Sequence, residues 1–180
     1  MESNKLFLIS DEYIEFLSKG NSHVMSNKPT ERTYHRKYIG LLTKLGGFTY
    51  FVPMSSPKNK DFVPGTQNVR KDSLTTIYMK NKKNYFGSIR FNLMIPVPES
   101  EVTLYNINDE GDFKYKMLVL NELYFIRGAH EKIEKTAKNL YEKKLKQLEG
   151  SDENSNPLMT AVLDFKQLEE LYQKWIELQK

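Results

Sequence analysis

The order of apolar and polar residues divides the chain into a strand-like first half and a helical second half. Leu6-Phe7-Leu8-Ile9 is an unbroken apolar run of strand length. Ser10 follows as a capping residue, and Tyr13, Ile14, Phe16 and Leu17 recur at helical spacing, which predicts a brief helix closed by Gly20. Residues 21–33 are polar and contain Pro29, so they read as a loop. Residues 38–45 and 48–54 are β-patterned and meet at Gly46-Gly47. Two consecutive glycines supply the positive φ angles of a tight hairpin turn, and this is the strongest local signal in the chain. Residues 55–68, with Pro57, Pro64 and Gly65, are predicted to be a loop. A second strand pair is predicted at 74–79 and 85–91, around a polar turn at 80–84. The run 94–98 is apolar but carries Pro96 and Pro98, which suits an edge strand or an extended crossing.

In the second half the spacing changes. Tyr115, Leu118, Val119 and Leu123 recur at helical intervals over 113–125, with Glu122 between the faces. Ile133, Ala137, Leu140, Tyr141, Leu145 and Leu148 mark one side of an amphipathic helix over 129–148. Residues 150–156 form a polar, acidic loop. Leu163, Leu168, Leu171, Trp175 and Leu178 then predict one last helix over 158–178. These helices read as a packing layer rather than a functional surface. The chain thus reads as strands followed by helices, and 180 residues with 39% hydrophobic content suit a single domain over 1–180. No apolar run approaches the roughly 18 residues of a membrane span, so no membrane partner is expected, and no signal peptide is expected because residues 1–5 are not a basic stretch leading into a long apolar run. The absence of cysteine excludes disulfides and thiol chemistry and fits a reducing compartment.

Charge adds what patterning cannot. Between residues 28 and 90 there are 13 Lys or Arg against three acids, Glu31, Asp61 and Asp72. The remainder of the chain is net acidic, with 14 basic and 20 acidic residues. A positive field concentrated on one segment points to a polyanion. Aromatics interleave the same segment (Tyr34, Tyr38, Phe48, Tyr50, Phe51, Phe62, Tyr78, Tyr85, Phe86, Phe91), which suggests bases stacking between phosphate contacts. Lys80, Lys82 and Lys83 cluster on the predicted turn, and with His35, Arg36, Lys60 and Arg90 they are the expected RNA-binding set.

The chemistry on offer is narrow. His23, His35 and His130 are scattered, and none has a partner at metal-ligand spacing. There is no phosphate-binding glycine loop, no dinucleotide fingerprint and no nucleophile elbow. Ser55-Ser56-Pro57-Lys58, after the first hairpin, offers two hydroxyls and a lysine in the basic field. RNA cleavage without a metal needs little more. The ribose 2′-OH is its own nucleophile, one group takes its proton, another protonates the leaving 5′-oxygen, and cations steady the phosphorane. Tyr34, His35, Arg36 and Lys37 lie before the neighbouring strand and could converge on the same place. A plain Ser-Pro turn accounts for these residues as well. On residues alone, a nuclease, a non-catalytic RNA-binding module and a hydrolase of a small phosphorylated substrate all stay open.

Tyr38-Ile39-Gly40, then Tyr50-Phe51-Val52-Pro53-Met54-Ser55-Ser56-Pro57-Lys58, then Phe91-Asn92-Leu93-Met94-Ile95-Pro96-Val97, resemble the ToxN/AbiQ family of type III toxin–antitoxin and abortive-infection systems. Asp164-Phe165-Lys166-Gln167-Leu168-Glu169 is similar to a C-terminal element of that family. The resemblance runs in order over most of the chain. It implies a bacterial, cytoplasmic endoribonuclease that uses no metal or other cofactor and leaves 2′,3′-cyclic phosphate ends. It implies an α+β fold with a twisted antiparallel sheet akin to toxins of the MazF and Kid type, packed with the long C-terminal helices. It also implies inhibition by a structured, short-repeat antitoxin RNA that the toxin itself processes, and a higher-order toxin–RNA assembly. Carried over residue by residue, the family's serine falls on Ser56, its preceding hydroxyl on Ser55 and its lysine on Lys58. Its upstream tyrosine falls on Tyr34, and its basic residue on Arg36 or Lys37. Lys37 is placed in the catalytic set.

Overall fold

The computed structural model describes residues 5–27, 34–150 and 157–180. Strand β1 (Leu6–Ile9) leads into helix α1 (Asp11–Gly20), whose first turn is capped by the Ser10 hydroxyl accepting from the Tyr13 amide. Strands β2 (Tyr38–Gly40) and β3 (Tyr50–Ser55) pair antiparallel, Tyr38 against Pro53. Both turn glycines have positive φ, 59° at Gly46 and 89° at Gly47, between the bridged residues Leu45 and Phe48. The hairpin is shorter than predicted because the strand breaks after Gly40. The amides of Leu42 and Thr43 turn away to the Glu134 carboxylate.

Strands β4 (Thr76–Lys80) and β5 (Tyr85–Arg90) form the second predicted hairpin. The prolines of 94–98 leave only β6 (Ile95–Pro96), a short strand lying on the first half of β3. Strand β7 (Val102–Leu104) is not apparent from the sequence because Thr103 and Leu104 are exposed, and it pairs with β1 at the sheet edge. The sheet runs β4-β5-β3-β2-β1-β7, antiparallel throughout. β3 is its spine. One edge meets β2, and the other meets β6 and then β5.

Helices α2 (Phe113–Gly128) and α3 (His130–Leu148) follow, with Val119, Ile126, Ile133, Ala137 and Leu140 in the core. The predicted last helix is two. A single turn, α4 (Pro157–Thr160), is separated from α5 (Phe165–Leu178), which starts afresh where Asp164 accepts from the Gln167 amide. The Leu163 amide turns instead to the Asn92 carbonyl. Glu169 of α5 is buried and accepts hydrogen bonds from Tyr50 of β3 at 3.0 Å and Tyr141 of α3 at 2.6 Å. No helix among the described residues is long and apolar enough to cross a membrane. Thr33, Pro29, the acidic residues of 151–156 and the Lys28 end of the basic segment lie outside the described residues.

Most of the aromatics expected to stack on bases are core instead. Tyr38, Tyr50, Phe51, Phe86 and Phe91 are all buried. Each occurs in a strand or beside one, and the sheet is covered by helices, so inward-pointing aromatics seal the core rather than form a platform.

Candidate active site

Ser56, Pro57 and Lys58 leave β3 as an exposed turn. Its near side is set by the ladder, with Ser55 opposite Ser88 of β5 and the Met54 amide donating to the Lys37 carbonyl at 3.0 Å. Ser55 is buried, and its hydroxyl donates to the Ser56 carbonyl at 3.4 Å. Gly87 permits this close approach. Its φ is +140°, and a Cβ there would stand 2.4 Å from the Ser55 carbonyl oxygen.

The far side of the turn is set by Asp61, a residue sequence reasoning missed. Its carboxylate is wholly buried. It accepts from the Lys58 amide at 2.9 Å, the Tyr85 hydroxyl at 2.8 Å and the Arg90 guanidinium at 2.7 Å. Charge-assisted bonds to three positions tie the turn to β5. Burial and the Asp61 hydrogen bond both hold the Tyr85 hydroxyl well above its usual range. Arg90, expected among the RNA contacts, faces Asp61 with 13% of its side chain exposed. Asp61→Ala is expected to cost about 3–5 kcal/mol, because it strands a nearly buried guanidinium. Chemical denaturation checks this, and an unchanged midpoint would remove Asp61 as the anchor.

A second cluster forms where the start of β2 meets α2. Arg36 and Lys37, just before β2, send their side chains to different partners. Arg36 is buried against carbonyls of Met54 and Ser26. Lys37 is also buried, and its ammonium donates to the Tyr115 hydroxyl at 2.7 Å. That nitrogen lies 4.4 Å from the centre of the Tyr105 ring and 4.3 Å from that of Tyr115, which is cation–π distance. Tyr34 stacks on Tyr115 at 3.6 Å with the rings 4° apart, and donates to the Asp112 carboxylate at 2.6 Å. That bond raises the Tyr34 hydroxyl above its ordinary value and lowers Asp112. Tyr34 is therefore a proton donor at rest rather than a ready base. Lys37, not Arg36, shares Tyr115 with Tyr34.

Behind this cluster stands Glu122 of α2, also buried. Burial raises its carboxyl to about 8, against a downward pull from Lys37. At neutral pH it is largely protonated and does not cancel the Lys37 charge. Tyr115, Glu122 and Asp112 lie on or just before a helix expected only to pack. The one signal was a lone glutamate on an apolar stretch of helix.

The other expected RNA contacts lie on three separate segments. His35 is exposed beside Tyr34. Lys60 is exposed at the mouth of a concavity of about 510 Å³ inside the 59–70 loop, which Phe62 and Arg70 also line. Lys80, Lys82 and Lys83 are exposed on the β4–β5 turn. Tyr85 at that turn is three residues, about 10 Å of strand, from Ser88 beside Ser55. Among the described residues no three His, Asp or Glu side chains group as a metal site would require.

A family model described as toxin ToxN of the type III toxin–antitoxin system matches residues 5–173. Endoribonuclease ToxN of Bacillus thuringiensis subsp. kurstaki is 28% identical over 98% of this chain and 86% of its own length. Endoribonuclease AbiQ of Lactococcus lactis subsp. lactis is 29% identical over 81% of this chain and 78% of its own. Among solved structures, a type III system showing selective toxin inhibition by a non-coding RNA pseudoknot superposes with a TM-score of 0.78 at 28% identity, covering 96% of this chain and 98% of that one. Another, a bacterial antiviral system regulated by a processed non-coding RNA, gives 0.76 at 26% identity, covering 94% and 98%.

Proposed function

Since the chain belongs to the ToxN/AbiQ family of type III toxin–antitoxin endoribonucleases, we propose that its Ser56-Pro57-Lys58 turn cuts RNA by attack of the ribose 2′-OH. One observation carries this. The turn's functional groups are exposed, while its backbone is pinned on one side by the close contact at Gly87 and on the other by Asp61. A rigid frame around exposed donors is what stabilising a developing charge requires.

In the reaction the 2′-hydroxyl gives up its proton and its oxygen bonds to phosphorus, while the bond to the 5′-oxygen breaks and that oxygen takes up a proton, so no net proton is consumed. The products are a 2′,3′-cyclic phosphate and a 5′-hydroxyl. Ser56 donates to a non-bridging oxygen, with Ser55 supporting the turn from below. Lys58 neutralises the negative charge that builds on the phosphorane. Lys37 immediately precedes β2, and its carbonyl accepts from the amide of Met54, two residues before Ser56. Its ammonium and the Tyr115 hydroxyl form a proton path, with Tyr34 stacked on it. The antitoxin is RNA, as in the pseudoknot-inhibited relative, and a processed repeat held over the turn blocks it. His35, Lys60 and the Lys80–Lys83 turn contact the phosphates of either RNA.

The chemistry recruits no metal, so purified protein is expected to cut RNA in excess EDTA. Its products should carry cyclic phosphate and 5′-hydroxyl ends. Lys58→Ala should severely reduce cutting. Lys58→Arg should restore only part of it if the lysine moves a proton, because a guanidinium stays charged. A strict requirement for Mg²⁺ or Mn²⁺, or 5′-phosphate ends, would overturn the mechanism.

A further inference from the structure

At the far end of α2 from Tyr115, where the helix meets the β4–β5 turn, lies a cavity of about 290 Å³. Phe86, Tyr124 and Phe125 supply its apolar walls. Tyr124 is 81% exposed, a large aromatic left in water. Two asparagines complete the lining, and the protein fixes the orientation of each. The Asn81 side-chain oxygen accepts from the amides of Lys83 at 2.9 Å and Asn84 at 2.8 Å, which leaves its NH₂ as a donor. The Asn121 NH₂ donates to the Met117 carbonyl at 2.7 Å, which leaves its oxygen as an acceptor. Lys80 also lines the cavity, and Lys82 and Lys83 are exposed on the same turn. No acidic residue lines it.

We propose that this cavity binds one unpaired RNA base, stacked on Tyr124, with its phosphates held by the lysines of the turn. Every base carries a donor beside an acceptor on its Watson–Crick edge, the edge that a duplex hides. Asn81 and Asn121 offer the complementary pair, so the cavity would read whether a base is unpaired rather than which base it is. Its position suits the strand being cut. Phe86, one of its walls, is two residues along β5, about 7 Å of strand, from Ser88 beside Ser55. Exposed Met117 and Leu120 share the Tyr124 face of α2, about half a turn around the helix from Tyr115. A strand with a phosphate at the Ser56 turn could place a base there a few nucleotides away. The positive flank and the donor–acceptor pair favour RNA over an apolar protein partner.

The inference rests on the RNA-cleaving reading above and has a separate test. In a Ser56→Ala background, binding would be measured to a short mixed-sequence single-stranded RNA, a hairpin with one bulged base and the same hairpin fully paired. Tyr124→Ala removes the stacking surface. Gly128→Leu fills the cavity from its edge. A Cβ at Gly128 meets nothing within 4 Å, so this variant is expected to fold. Both variants should weaken single-strand binding roughly 5- to 100-fold, as loss of one stacked base does, and leave the paired hairpin unaffected. A parallel loss with the bulged hairpin would extend the site to structured RNAs such as the antitoxin, and a loss confined to the single strand would assign it to transcripts being cut. Wild-type affinity of both variants for single strands would overturn the proposal. So would a change in self-association with RNA binding intact. If the parent protein bound no RNA at all, the nuclease reading would fall first.

Discussion

Ser56→Ala is expected to slow RNA cleavage by about 10²- to 10³-fold while moving the unfolding midpoint by no more than about 1 °C. The two halves of this expectation have different sources. Ser56 is exposed on a turn whose neighbours make the structural contacts. Truncating its hydroxyl removes no packing, and exposed sites of this kind seldom change stability by more than about 0.5 kcal/mol. A donor aimed at charge that exists only in the transition state carries a far larger rate effect. Single-turnover cleavage and a thermal melt of the same preparation decide the matter. A variant that melts normally and still cuts at the parent rate would take Ser56 out of the chemistry.

Lys37→Met is expected to abolish most cleavage with little change in stability at neutral pH. Methionine keeps much of the apolar stem that lies against Tyr105 and Tyr115. Replacing a buried ion by an apolar side chain of similar size is often neutral or better. What disappears is the cation and the proton path to Tyr115. The variant also carries a signature that a merely structural role would not give. The Glu122 carboxyl is raised by burial to about 8 and pulled down by Lys37. A raised carboxyl keeps its proton in the folded protein over a range where the unfolded chain loses it. Its stabilising contribution is therefore full below the ordinary carboxyl range and is lost as pH rises from there towards 8. The slope is at most about 1.4 kcal/mol per pH unit. Without Lys37 the fall should extend to higher pH, and Glu122→Gln should flatten it. Urea midpoints between pH 5 and 9 would show this, and identical profiles for all three proteins would remove the Lys37–Glu122 coupling.

Local signals were legible in the sequence and long-range ones were not. Gly46-Gly47 needed no tertiary information, because the backbone angles of the turn demanded glycine. The Ser10 cap was likewise a short-range bond. The break before α5 was hidden, because Leu163 and Leu168 fit a helical period whether or not the chain is helical between them. The Leu163 amide leaves the helix for Asn92, a partner far away in sequence. The proposed catalytic turn was visible as Ser-Ser-Pro-Lys, but its supports were not. Asp61 was one of three acids in a strongly basic segment, and such an isolated acid could have been questioned as a structural partner. That Lys37 rather than Arg36 meets Tyr115 depended on which side of the chain faces α2, and composition could not give that.

The Tyr50–Glu169–Tyr141 bonds join the middle of the sheet to the last helix across 119 residues of chain. Such a bond has a direction in time. Protein synthesis delivers β3 and its serine turn long before it delivers Glu169, Phe165 and Leu168. Until α5 emerges, the spine of the sheet lacks a buried acceptor for Tyr50 and the apolar cover that Phe165 provides. A ribosome making this chain therefore holds the serine turn on an uncovered sheet until α5 has been made.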